Sequence, residues 1–164
     1  MALDLDGHYF DDNIDRHCSN LFATHYPEYD GAIEPGQLRL GAHTDYGSLT
    51  IVYQDEGAGG LQVHSGGRWI DVPALPGSFV VNLGDLLARW TNDRWVSTLH
   101  RVVNPDAGST GRSRRISIPF FQQPNYDALI ECLRSCQGPS NPPRYPPILS
   151  GVNMIEKTNR TLAV

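Results

Sequence analysis

Three residues of the chain, His43, Asp45 and His100, have the types and spacing of a metal site. Two imidazoles and one carboxylate hold non-heme Fe(II) on one face and leave the opposite positions open to substrate and O₂. Side chains two residues apart on a β-strand point to the same side, so His43 and Asp45 can reach one ion together. His100 lies in a second β-rich stretch, 96–103, whose alternation directs one imidazole inward. The same spacing also arises by chance, so the three residues alone do not define a site.

A second polar pair, Arg115 and Ser117, interrupts the otherwise apolar stretch 114–121. At a spacing of two on a strand, both side chains face the same interior. A buried guanidinium needs an anionic partner. An arginine beside a hydroxyl suits a bound carboxylate, but an internal salt bridge from Arg115 to one of the protein's own acids is an open alternative.

The residues around both groups form three sequence blocks, HTDYGSLTI at 43–51, WVSTLHRV at 95–102 and RISIPFF at 115–121. In their order and spacing they resemble the isopenicillin N synthase-like family of Fe(II)/2-oxoglutarate-dependent dioxygenases. The resemblance is strong from about Phe22 to Phe121 and looser in the C-terminal tail. Shorter matches lie between the blocks, at 60–63, 68–73 and 82–85.

This resemblance assigns roles to the polar residues. It implies that iron is ligated by His43, Asp45 and His100, and that the distal carboxylate of the co-substrate 2-oxoglutarate is bound by Arg115 and Ser117. Tyr26 stands where many members have a tyrosine that helps to hold the same carboxylate. Those members often have asparagine two residues earlier, where this chain has Thr24. A packed core tyrosine with a satisfied hydroxyl is therefore the alternative for Tyr26.

The implied activity is an oxygenase reaction on a small organic substrate. O₂ and 2-oxoglutarate would be consumed, succinate and CO₂ released, and a C–H bond oxidised in a hydroxylation, desaturation or ring closure. Two alternatives remain open from the residues. One is a non-heme iron oxidase that uses no 2-oxoglutarate and turns the same arginine and serine toward its substrate. The other is a non-catalytic remnant or interaction module of the same fold.

The elements that must position these residues are mainly short strands separated by turns. Strands are predicted at 37–40, 48–54, 60–64, 68–71, 79–83, 96–103 and 114–121. Many short strands at close intervals favour a β-sandwich or jelly roll. The resemblance narrows this to a double-stranded β-helix (jelly roll, cupin-like) with flanking helices.

The other predicted elements are turns and helices. Ser65–Gly67 and Pro76–Gly77 predict turns. Helices are predicted at Phe10–Asn20 and Ile148–Leu162, with a short helical turn at Asp85–Trp90. Among the remaining polar residues, Asn82 and Asp85 flank Gly84 at a strand end, and turn chemistry explains both. The other histidines, His8, His17, His25 and His64, are expected to be surface or packing residues.

Composition limits the functional class. A length of 164 residues and one set of motifs predict a single catalytic domain over 1–164. A formal net charge of −5 without an extended basic cluster gives no indication of nucleic-acid binding. No apolar run reaches the roughly 20 residues of a membrane span. The N-terminus does not resemble a secretory signal, and three cysteines read as reduced thiols, so a cytoplasmic location is expected.

Members of the resembled family are usually longer, with an N-terminal helical and β region ahead of the catalytic core. This chain begins near the last helix of that region. We therefore expect an apolar sheet face to be uncovered within this chain, and either a homodimer or a partner chain to cover it.

Overall fold

The computed structural model describes residues 3–28, 34–56, 59–104 and 113–162. The strands are β1 (Asn20–Leu21), β2 (Thr24–Tyr26), β3 (Leu38–His43), β4 (Leu49–Gln54), β5 (Leu61–Ser65), β6 (Arg68–Asp71), β7 (Val80–Leu83), β8 (His100–Val103), β9 (Arg115–Gln122), β10 (Leu129–Ile130) and β11 (Ile148–Leu149). The helices are α1 (Asp11–Ile14), α2 (Asp85–Trp90) and α3 (Ser150–Leu162), with a 3-10 turn at Arg134–Cys136. No helix among these residues has the length and apolar character needed to cross a membrane.

The strands form two facing antiparallel sheets. The large sheet has the order β1-β9-β4-β7, with β2 also paired to β9. The small sheet has the order β3-β8-β5-β6. Side chains from both sheets line one cavity, so the sheets enclose a space between them. A separate two-stranded pair, β10 and β11, lies outside both sheets.

Alternation along the large sheet separates an inner from an outer face. Ile51 on β4 is in register with Val81 on β7 and with Phe120 on β9, and these positions face away from the cavity. The outer face is apolar and open to solvent, since Phe79 is 64% exposed, Val81 59% and Tyr53 41%. This sheet therefore has an apolar side with no cover among the described residues.

The main cluster of buried apolar side chains lies around α2 and not between the sheets. It consists of Leu3, Leu86, Leu87, Trp90, Ala128, Ile130, Leu133 and Cys136. These residues come from α2, from the N-terminal segment and from the region of β10 and the 3-10 turn. The main apolar core therefore lies beside the sheets, and the space between them is a cavity.

The predicted strands are confirmed to within a few residues, with one larger difference. Residues 96–99 are not in a strand, and β8 begins only at His100. Both predicted turns are confirmed, since Gly66, Gly67 and Gly77 all have φ between 57 and 77°, a region that glycine adopts without steric cost. The short strands β1, β2, β10 and β11 were not predicted.

The predicted helix at Phe10–Asn20 is wrong beyond its first turn, because α1 ends at Ile14. The side chain of Asn125 supplies the competing contacts. Its Oδ1 accepts a hydrogen bond from the backbone N–H of Arg16 at 2.7 Å, and its Nδ2 donates to the carbonyl oxygen of Asp12 at 2.9 Å. A distant residue thus takes the hydrogen bonds that would have continued the helix.

Candidate metal and co-substrate site

Pairing within the small sheet brings the two predicted histidine ligands together. β3 and β8 are neighbours, and His43 lies directly opposite His100. Asp45 Oδ1 is 3.9 Å from His43 Nε2 and 3.7 Å from His100 Nε2. The three ligand atoms lie within 4.8 Å of one another, so a single ion placed between them can contact all three.

The hydrogen bonds of the two imidazoles orient their free nitrogens toward this point. His43 Nδ1 is 2.9 Å from the carbonyl oxygen of Gly41, and His100 Nδ1 is 3.0 Å from that of Thr98. A carbonyl only accepts hydrogen bonds, so each Nδ1 carries the proton. Each Nε2 then presents a lone pair to the space shared with Asp45, which is the arrangement of metal-binding histidines.

Asp45 is 6% exposed, and its carboxylate is held by two hydrogen bonds. Its Oδ2 accepts from Thr50 Oγ1 at 2.6 Å and from Asn82 Nδ2 at 2.7 Å. Both bonds go to the same oxygen, so Oδ1 is left to face the histidines. Explaining Asn82 by turn chemistry was wrong, because it lies within β7 in register with Thr50 on β4. The missed signal was polar side chains at inward positions of apolar strands.

Asp45 reaches the site by a different route from the one predicted. β3 ends at His43, so the two residues do not share a strand. Instead, the backbone N–H of Asp85, in the first turn of α2, donates to the carbonyl oxygen of Asp45 at 2.8 Å. First-turn N–H groups have no partner inside their own helix. The close approach needs glycine, because a Cβ on Gly84 would collide with the carbonyl oxygen of Gly47.

Arg115 lies on β9 of the opposite sheet and is 2% exposed. One terminal nitrogen donates to Gln54 Oε1 at 2.7 Å. The other terminal nitrogen and Nε have no hydrogen-bond partner. No described carboxylate lies within salt-bridge distance of Arg115, so the alternative of an internal salt bridge is not observed within the described ranges. Burial lowers the pKa of the Arg115 guanidinium, and the unpaired buried N–H groups fit an absent anion.

Ser117 lies two residues from Arg115 on β9, and pairing of β2 with β9 brings Tyr26 beside Arg115. Tyr26 is in register with Arg115, and Thr24 with Ser117. The guanidinium carbon of Arg115 is 5.3 Å from the centre of the Tyr26 ring. Burial raises the pKa of the Tyr26 phenol against the opposing effect of the Arg115 charge, so the phenol is neutral and can donate a hydrogen bond.

All six predicted site residues line one cavity of about 270 Å³ between the sheets. Its remaining walls are mostly apolar and include Phe22, Leu40, Val63, Val80 and Phe121. A dry, low-dielectric setting strengthens charged interactions inside it. The donors fit Fe(II) at one place, and the unpaired Arg115 groups fit a carboxylate at another. The ligand and clamp roles themselves stay predictions. The four other histidines are exposed, as expected.

Comparison with known proteins gives a consistent result. Residues 18–124 match the 2OG-Fe(II) oxygenase superfamily. The chain is 40% identical over 154 residues to the 2-oxoglutarate-Fe(II) type oxidoreductase hxnY of Emericella nidulans, covering 90% of this chain and 42% of that protein. It is 42% identical over 115 residues to homoarginine-6-hydroxylase 2-ODD-C23.1 of Arabidopsis thaliana, covering 68% of this chain and 33% of that protein.

Among solved structures, a full-length Neurospora crassa protein in complex with alpha-KG and thymine superimposes with a TM-score of 0.89 at 39% identity. The match covers 97% of this chain and 49% of that one. Such matches confirm the predicted double-stranded β-helix. The chain spans less than half the length of these relatives.

Proposed function

The chain belongs to the 2OG-Fe(II) oxygenase superfamily, and we propose that it oxidises a C–H bond of a small organic substrate at the site between its two sheets. The co-substrates are O₂ and 2-oxoglutarate, and the products include succinate and CO₂. Fe(II) and 2-oxoglutarate are the cofactor and co-substrate of this family. A small-molecule substrate fits it as well: the Arabidopsis relative is named for homoarginine, and the Neurospora structure holds thymine.

One observation carries this proposal. A three-donor set suited to iron and a buried arginine with unpaired N–H groups line the same cavity, from opposite sheets. In the proposed arrangement, His43, Asp45 and His100 hold Fe(II), while Arg115 and Ser117 bind the distal carboxylate of 2-oxoglutarate. The iron supplies O₂ activation coupled to oxidative decarboxylation of 2-oxoglutarate. The chain's residues orient the co-substrate and exclude water from it.

The test is an anaerobic titration of the Fe(II)-loaded protein with 2-oxoglutarate, followed by visible absorption. Chelation of the keto acid is expected to produce a new charge-transfer band that disappears when O₂ is admitted, with succinate formed. Iron-loaded protein that shows no band and forms no succinate would contradict the use of 2-oxoglutarate. Protein that binds no iron would contradict the oxygenase proposal as a whole.

Within the superfamily, we propose that the chain falls in the isopenicillin N synthase-like branch. The three sequence blocks at 43–51, 95–102 and 115–121 support this assignment. Members of that branch carry the arginine and serine two residues apart on one strand. In this chain both residues are buried on β9 and line the cavity.

We also propose that the apolar outer face of the large sheet is covered in the working protein by a second copy or a partner chain. Exposed Phe79 and Val81 support it, since contiguous apolar surface of this kind marks interaction sites. Size-exclusion chromatography with light scattering tests the dimer. Phe79→Lys is expected to shift the protein toward monomer. A well-behaved wild-type monomer would contradict the dimer.

A further inference from the structure

The last helix, α3, contacts the metal-ligand segment (His43–Tyr46) from outside the cavity. Lys157 and Thr161 lie four residues apart, and therefore on one face of α3. The Thr161 hydroxyl forms a hydrogen bond with the Tyr46 phenol. Thr161 Oγ1 also donates to the Lys157 carbonyl at 3.2 Å, so Tyr46 is the donor of the first bond. The C-terminal half of α3 thus reaches the segment directly.

A second connection passes through Asp85. Lys157 Nζ is 2.8 Å from Asp85 Oδ2, and Thr44 Oγ1 donates to the same oxygen at 3.3 Å. The backbone N–H of Asp85 holds the carbonyl of Asp45. The Asp85 side chain is 13% exposed and that of Lys157 35%, so solvent screens the pair only in part. Asp85 therefore contacts α3 and two consecutive residues of the metal-ligand segment.

The other end of α3 is fixed to the body of the protein. The backbone N–H groups of Ser150 and Gly151 donate to the carbonyl oxygens of Ala128 and Tyr126, both at 2.9 Å. Gly151 lies so close to the Tyr126 ring that a Cβ there would overlap with it. A helix docked at its first turn is a rigid support for contacts made near its last turn.

We propose that Lys157 and Asp85 are positioning residues of the metal site, through which α3 anchors the metal-ligand segment. This inference rests on the proposed function, since it assumes that the triad holds a metal. Asp45 lies beyond the end of β3 and has no strand partner to fix it. Thr50 and Asn82 hold its carboxylate, and its backbone is placed by the contact to α2 and by the Lys157–Asp85–Thr44 connection. Weakening that connection lets the Asp45 carboxylate move relative to the two imidazoles.

A purely structural role for the ion pair predicts something different. If Lys157 only holds α3 on the protein, its loss lowers thermal stability and leaves the metal site unchanged. Metal affinity and ligand geometry separate the two cases. Co²⁺ serves as the probe, because its d–d absorption reports coordination geometry without any turnover.

The experiment compares Co²⁺ affinity and d–d spectra of the wild type with Lys157→Met, Lys157→Arg and Arg160→Met. Changes to residues that orient metal ligands typically weaken metal binding about 10–100-fold, and partial exposure of the pair places the expected loss for Lys157→Met near the lower limit. The d–d bands of Lys157→Met are expected to shift. Lys157→Arg is expected to restore both the Co²⁺ affinity and the d–d spectrum. Arg160→Met removes the same charge from an exposed position of the same helix and is expected to match the wild type.

Chemical modification gives an independent test, because Lys157 is the only lysine of the chain. Acetylation removes the positive charge and reductive methylation keeps it. Acetylated protein is expected to lose Co²⁺ affinity as Lys157→Met does, and methylated protein to lose less. In Lys157→Arg the same acetylation reaches only the N-terminal amine and is expected to have no effect.

Equal affinity and identical spectra in the wild type and Lys157→Met would overturn the inference, even if the variant melts at a lower temperature. An equal loss of Co²⁺ affinity in Arg160→Met would also overturn the inference. Failure of the wild type to bind Co²⁺ is distinguishable from both results, since it would refute the proposed function and this inference together.

Discussion

Exchanging Arg115 for methionine tests the co-substrate site most directly. The guanidinium is buried, bonded once to Gln54, and has two nitrogens without partners. Methionine keeps much of the side-chain volume and removes the charge. We expect 2-oxoglutarate binding to weaken strongly while Fe(II) binding is unchanged, because Arg115 lies on the sheet opposite the histidines.

The magnitude follows from the lost hydrogen bonds. A hydrogen bond to a charged group contributes about 1.5–3 kcal/mol. Losing two to the distal carboxylate costs at least about 3 kcal/mol, which is roughly a 100-fold rise in Kd. The stability of the free protein should change less than ligand affinity, because removing a buried charge offsets the loss of its hydrogen bond to Gln54.

Thermal and denaturant unfolding of the Fe(II)-loaded protein under anaerobic conditions provides the assay. At a 2-oxoglutarate concentration of about 100 times the wild-type Kd, the wild type gains about 2.7 kcal/mol of unfolding free energy. The variant, with a Kd about 100-fold higher, gains only about 0.4 kcal/mol from the same relation. Arg114→Met is the matched control, because Arg114 is the exposed neighbour on the chain. If 2-oxoglutarate stabilised Arg115→Met as much as it stabilises the wild type, Arg115 would not be a ligand of its carboxylate.

Three further exchanges test the rest of the site. Asp45→Ala is expected to abolish Fe(II) binding, and an unchanged iron content measured by elemental analysis would show that Asp45 is not a ligand. Asn82→Ala removes one of two bonds to Asp45 Oδ2, so titration calorimetry with Fe(II) should show affinity about 10-fold lower; no change would mean that Thr50 alone orients the carboxylate. Ser117→Ala should raise the Kd for 2-oxoglutarate about 10-fold, as expected for one hydrogen bond of about 1.5 kcal/mol to a carboxylate, and equal Kd values would place the Ser117 hydroxyl away from the co-substrate.

Local pattern predicted most of the strands, and local pattern together with the family resemblance predicted the six site residues. Alternation of polar and apolar residues reports which side chains face inward, and glycines mark turns because they alone adopt positive φ at no cost. Arg115 and Ser117 illustrate this, since their spacing of two on an apolar strand placed both in the cavity where the structure has them. The resemblance supplied their proposed ligand, and the unpaired nitrogens of Arg115 agree with it.

Contacts between residues distant in the chain decided where the first helix ends and how the metal ligands are held. Asn125 ends the first helix, Thr50 and Asn82 orient Asp45, and α3 contacts the metal-ligand segment through Thr161. The inward polar positions of Thr50 and Asn82 are visible in the sequence, but the partner of each contact is not, because a hydrogen bond across many residues depends on how the sheets and helices pack. The sequence and its family resemblance therefore predicted which residues hold the metal and the co-substrate, and only the tertiary structure decided what keeps those residues in place.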